Sequence, residues 1–137
     1  LLRTKCISPK VKNIFSELYI KAINSFAFNL LALKTEYNNK NLKKDKKSIN
    51  SINKIFEEFD NIIMSMPLPI LQTKKSRIKQ TLTSTSHTLS MLYDFKNNKK
   101  VELPYLWNTF KLLSILTNSN IDFTKKIYFN VLKKLKK

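Results

Sequence analysis

Apolar positions along this chain follow two rhythms. Glu17–Ala22 alternates, with Leu18, Ile20 and Ala22 on one side and Tyr19 and Lys21 on the other, which predicts a short half-buried strand. Ser25 is placed to cap a following helix in which Ala27, Leu30, Leu31 and Lys34 share a face. A polar, lysine-rich run at about 38–47 interrupts it and reads as an insertion. Helical spacing resumes at Ile49, Ile52, Ile55 or Phe56, and Phe59, with Ser48 as N-cap. The apolar stretch ending Met66-Pro67-Leu68-Pro69 reads as an edge strand, where proline is tolerated. Two extended runs follow over about 70–101 and meet near His87–Ser90, as a hairpin does. The first is rich in Thr and Ser; the second alternates Tyr93, Phe95, Asn97, Lys99, Val101 and Leu103 against polar neighbours. Pro104 opens a second helix with Leu106, Phe110 and Leu113 as its buried stripe and Trp107 beside it. Ile121, Phe123, Lys125, Ile127, Phe129 and Val131 then alternate as a last strand.

The order strand, helix, strand, strand, helix, strand predicts an α+β fold. Its form is a ferredoxin-like four-stranded sheet with two helices on one face and a long protruding β-hairpin. The expected organisation is a basic tail at 1–15, one domain at 16–132 and a basic C-terminal tail at 133–137. No internal repeat is evident.

Charge changes the picture most. Twenty-six Lys and Arg against nine Asp and Glu give a net charge of +17 in 137 residues. Self-repulsion on that scale disfavours compaction and points to a polyanionic partner, nucleic acid first and an anionic membrane second. Only Arg3 and Arg77 are arginine, and glycine is absent, a bias that suggests an AT-rich genome. Cys6 is the single cysteine, so no internal disulfide forms and a reducing compartment is expected. No apolar run is long enough for a membrane span. The basic start, poor in acids, is compatible with the end of a transit sequence.

Catalytic chemistry is sparse. Without glycine there is no glycine-rich phosphate loop. One Cys and one His do not make a zinc site. Glu57 and Glu58 adjoin but point to different helix faces, and His87 reads as a polar turn residue. Phe95, Phe123 and Phe129 read as core rather than as base-stacking groups. The expectation is a chain that is not an enzyme, with no cofactor, no metal and no small-molecule substrate. A nucleic-acid enzyme using His87, Asp94 or Glu102 is the weaker alternative.

The chain from roughly Glu17 to Leu132 resembles the ribosomal protein S-ten family of the small subunit, with Glu17–Ser25 similar to its first strand and the motifs concentrated between Met66 and Leu103. Met66-Pro67-Leu68-Pro69 is similar to that family's proline segment, and Thr73, Lys74, Lys75 and Arg77 to its basic strand. Ser86 and His87 are similar to its hairpin tip, and Tyr93, Asp94, Phe95 and Lys96 to its return strand. The departures are Met66 in place of a glycine, Ile70–Gln72 before Thr73, a missing tip proline and the insertion at 38–47. That drift resembles a mitochondrial member.

The resemblance implies a structural constituent of the small ribosomal subunit that binds rRNA in the subunit head. Its partners would be small-subunit rRNA and neighbouring ribosomal proteins of the head. Lys74, Lys75, Arg77, Lys79, Ser84, Thr85, Ser86 and His87 would contact rRNA, followed by Lys96, Lys99 and Lys100. Each phosphate contact would add about 0.7–0.9 to the salt slope of log affinity. The implied location is the mitochondrial ribosome in the matrix, with plastid or bacterial cytoplasm as alternatives. A basic accessory protein of another organellar complex, lying on an anionic membrane, is the competing reading.

Overall fold

The computed structural model describes residues 13–70, 72–82 and 86–136, and it contains no strand among them. Seven helices succeed one another: α1 (Ile14–Thr35), α2 (Asn39–Lys44), α3 (Lys46–Met64), α4 (Lys74–Thr81), α5 (Ser90–Lys96), α6 (Leu103–Leu116) and α7 (Asp122–Leu135). The expected ferredoxin-like sheet is therefore replaced by a helical bundle.

The bundle is organised around α1. Eight successive residues, Phe26 to Leu33, are all buried. A helix that is apolar on every side is stable only when other helices surround it, and α3, α4, α5, α6 and α7 all pack against this one. The Asn13 side chain accepts from the Ser16 N–H at 3.0 Å and starts the helix. Glu36 ends it in the left-handed region at φ 60°, donating its N–H to the Ala32 carbonyl at 2.7 Å. Asn98 and Asn118, at φ 54° and 51°, take that conformation after α5 and α6. With no glycine in the chain, Asn and Glu carry these turns.

α3 is strongly amphipathic and turns Ile52, Ile55, Phe56, Phe59 and Ile62 inward. Asp45, not Ser48, is its N-cap: the carboxylate accepts from the N–H groups of Lys47 and Ser48 and from the Ser48 hydroxyl. Aromatic side chains are set among the aliphatic ones of the core. Phe26 meets Phe59 edge-on at 5.7 Å and Phe110 at 5.3 Å, and Trp107 stacks on Tyr128 at 4.5 Å. Such pairs contribute about 0.5–1.5 kcal/mol each beyond the area they bury.

Two distant side chains complete helix ends. The Glu58 carboxylate accepts from the N–H groups of Phe123 and Thr124, at 2.8 and 2.9 Å, and from the Thr124 hydroxyl. It therefore caps α7 from α3, where Ile121 has no side chain able to do so. Lys134, in the last turn of α7, donates to the Leu33 carbonyl and pairs with Glu36, placing a cation at the C-terminus of α1.

The stretch expected as an edge strand, ending Met66-Pro67-Leu68-Pro69, is the last turn of α3 and the irregular chain after it. The other predicted strands failed for readable reasons. Leu18, Ile20 and Ala22 alternate, but Ile20, Ile23 and Ala27 continue at helical spacing and are the buried set. The predicted last strand buries Ile121, Thr124, Ile127, Tyr128 and Val131, again a helical face. The predicted hairpin over about 70–101 is occupied by α4 and α5, and the run read as its return strand forms α5 and the turn after it. A two-residue hairpin turn needs positive φ, usually from glycine, which the chain lacks. The inserted run at 38–47 contains α2 and the cap of α3. The two halves of the interrupted first helix, expected at 25–34 and 48–59, lie within α1 and α3, and Pro104 stands in the first turn of α6 as expected.

Candidate functional site

The residues expected to bind RNA fall into separate places. α4 carries Lys74, Lys75, Arg77 and Lys79. Ser86 and His87 lie exposed just before α5, and the His87 carbonyl accepts from the Asn39 N–H at 3.1 Å. Lys96 ends α5, and Lys99 and Lys100 sit in the α5–α6 connection, over the rings of Tyr93 and Tyr105 at 5.7 and 5.3 Å. Ser84 and Thr85 lie outside the described residues, as does Cys6.

Arg77 is not a surface contact at all. It is 1% exposed, and its Nη1 donates to Asp60 at 2.7 Å while the guanidinium lies 5.2 Å from the Phe56 ring. Beside it, the Tyr19 hydroxyl donates to the Phe59 carbonyl at 2.9 Å. Burial pushes the Tyr19 phenol well above its ordinary range, with the Asp60 charge adding to the effect. Tyr19, Asp60, Arg77 and Phe56 thus form a polar seam inside the bundle that fastens α4 to α3 and α1.

Lys74, Lys75 and Lys79 do come together. They stand along a groove of about 840 Å³ between α3 and α4, with Lys43 of α2 also on its rim. Ile49, Ile78 and Leu82 line its apolar part. Lys74 pairs with Glu57 at 2.8 Å, and the Glu57 carboxyl is held below its usual range by that bond.

A second polar feature runs along α1, where sequence periodicity gave no signal because the helix was read as a strand followed by a helix. Lys21 is exposed, and Asn24 and Ser25 follow it by three and four residues, so all three share one side. The Asn24 Oδ1 is buried with no hydrogen-bond partner among the described residues. One turn further, Asn29 donates to the Ser25 carbonyl at 2.8 Å and accepts from the Met91 N–H at 3.0 Å, capping α5. Just before Lys21, Ile14, Phe15 and Leu18 lie exposed on the same helix, at 50%, 70% and 55%. Buried polar groups are normally paired and large apolar side chains covered. This part of α1 breaks both rules at once.

The model of one protein family, described as ketopantoate reductase PanE/ApbA, C terminal, matches residues 13–113. The chain belongs to this family. No curated protein and no solved structure matches the sequence. The family is the C-terminal part of ketopantoate reductase-like proteins, which are oxidoreductases; membership shows no activity for these residues alone. The resemblance to the ribosomal S-ten family is overturned, and with it the rRNA and ribosomal-protein partners, the role in translation and the mitochondrial-ribosome location. Of the segments that carried the resemblance, the Pro-Leu-Pro run precedes α4 and the basic residues lie within it, in a helix and not a hairpin strand. The alternative of a basic accessory protein on an anionic membrane has no support in this family either. Among the described residues no helix is long and apolar enough to cross a membrane.

Proposed function

We propose that this chain is the helical, substrate-facing part of a ketopantoate-reductase-type oxidoreductase. The observation that carries the reading is the family match over residues 13–113. Reducing the ketone of a small 2-oxo acid requires a hydride donor, a proton and a cation for the carboxylate. The usual hydride donor is a nicotinamide dinucleotide, whose pyrophosphate is held by a glycine-rich turn between a strand and a helix. The residues of this chain do not fit that group: it has no glycine, and the described residues form no strand. In this reading the dinucleotide is held by a part of the protein outside these residues.

The remaining tasks suit the polar side of α1. Lys21 supplies an exposed cation that can hold a carboxylate or deliver a proton. Asn24 offers a buried amide whose oxygen lacks a partner, and Ser25 a hydroxyl within the next turn. The exposed Ile14, Phe15 and Leu18 support a covering body over this end of the helix, which would exclude water from the substrate.

The test is the intact protein, assayed for ketopantoate-dependent oxidation of a reduced nicotinamide dinucleotide. Turnover is expected, with Lys21→Met lowering kcat/KM by about 100-fold or more and Lys21→Arg restoring part of it. Absence of turnover with ketopantoate and with other small 2-oxo acids would refute the reductase reading. Turnover unchanged in Lys21→Met would remove α1 as the substrate-facing element.

A further inference from the structure

The groove between α3 and α4 has a chemistry of its own, independent of the α1 site and of the reductase reading. Ile49, Asn53 and Glu57 line it from α3 at four-residue spacing, so they form one face about 12 Å long. From α4 and its end come Ile78 and Leu82, again four residues apart, with Lys75 and Lys79 beside them. Arg77, among the longest of side chains, reaches Asp60, and Lys74 reaches Glu57. These two polar struts hold the helices together; Leu82, buried in the core, forms the groove's floor, and the half-buried Ile49 and Ile78 flank it.

Charge is placed on the rim alone. Among the described residues, Lys43, Lys75 and Lys79 have no carboxylate within ion-pair distance, whereas Lys74 is neutralised by Glu57. The Thr73 hydroxyl is committed to the Ser76 N–H at 3.2 Å as the cap of α4. The lining has no aromatic ring on which a base would stack. Its volume, about 840 Å³, lies within the range of small-molecule sites. An elongated apolar body with a single anionic end matches each of these features.

We propose that the α3–α4 groove binds a single-chain amphipathic carboxylate, its alkyl body along Ile49, Ile78 and Leu82 and its carboxylate among Lys43, Lys75 and Lys79. A strongly hydrated polyanion gains nothing from the apolar floor, and a neutral alkane gains nothing from the rim. The occupant must use both.

The experiment titrates the intact protein with hexanoate, octanoate and decanoate below their micellar concentrations, and with decanol, following backbone amide shifts by NMR. Affinity is expected to tighten by up to about 4-fold per added methylene, with decanol at least about 10-fold weaker than decanoate. Shifts should cluster on α3 and α4. Lys75→Gln/Lys79→Gln should weaken decanoate by about 10-fold and leave decanol and ketopantoate turnover unchanged. Ile78→Ser should weaken both ligands. Equal affinity for decanoate and decanol, or decanoate binding indifferent to the lysine changes, would overturn the proposal. So would binding without chain-length dependence that a polyglutamate peptide displaces, which would make the groove an acidic-peptide site. Unchanged helix content by circular dichroism separates these outcomes from misfolding of a variant.

Discussion

Asp60→Ala is the most informative single change to this bundle. Arg77 is 1% exposed on its side chain and Asp60 15%, with 2.7 Å between Nη1 and Oδ1. The Arg77 Nε already lacks a partner, so Asp60 is the guanidinium's only hydrogen-bond acceptor among the described residues. Removing it leaves a buried cation against the Phe56 ring with no hydrogen-bond acceptor among the described residues. Breaking a buried pair from one side costs about 3–5 kcal/mol, because the desolvated charge stays behind. Arg77→Met keeps most of the packing and leaves Asp60, which can draw water through its exposed edge, so about 1–2 kcal/mol is expected. The double variant Asp60→Ala/Arg77→Met should be more stable than Asp60→Ala alone, with a coupling energy of about 2 kcal/mol or more. At this chain length, 1 kcal/mol corresponds to about 3–5 °C in Tm, so Asp60→Ala should lower Tm by about 10–20 °C. Urea unfolding followed by far-UV circular dichroism measures all four corners of the cycle. A loss below about 1 kcal/mol for Asp60→Ala, or additive single changes, would refute the idea that this pair fastens α4.

Other outcomes follow from the caps and the titrating groups. Glu58→Ala removes three hydrogen bonds from the start of α7 and should cost about 1–3 kcal/mol, with Glu58→Gln milder, measured by the same unfolding. Asn29→Leu strands the Met91 N–H inside the core and should speed exchange of the amides of α5 more than those of α3, read by hydrogen exchange. Hydrogen bonds from Lys134, Ser48 and Lys74 hold Glu36, Asp45 and Glu57 below their usual range. The folded state therefore binds fewer protons than the unfolded one in acid, and stability present above about pH 4 is lost as pH falls further; Asp45→Asn should flatten that loss. Tyr19 is displaced upward by burial, so its contribution is intact below about pH 10 and fades as pH rises beyond. Tyr19→Phe should remove that alkaline component.

The sequence was informative where one rhythm prevailed. α3 and α6 were legible because their apolar residues recur at helical spacing and proline opens the second. The first half of α1 and the whole of α7 were not, because apolar residues stand on several sides of each helix, and a period of two can be drawn through them as easily as one of 3.6. The absence of glycine was the available signal against a hairpin, since a tight hairpin turn at positive φ favours it. Arg77 shows the limit for sites: a basic residue between Lys75 and Lys79 reads as surface until its partner Asp60, seventeen residues away, is placed beneath it. The lysines of α4 were legible as a cluster, and Lys74, Lys75 and Lys79 do line one groove. Lys21 and Asn24 gave no signal, because a lysine and an asparagine inside an apolar run look like ordinary polar interruptions.

The bond from Lys134 to the Leu33 carbonyl spans 101 residues of chain, and this separation has a consequence during synthesis. α1 leaves the ribosome before the helices that enclose it, with its apolar residues in view on every side. The helices that enclose it arrive later, and α7 arrives last. At about 5–20 residues per second, α1 waits some 5–20 s for its final neighbour. Throughout that interval the nascent chain presents an oily rod to the cell, so a holding chaperone should capture chains stalled before Asp122 and release those that reach Leu135.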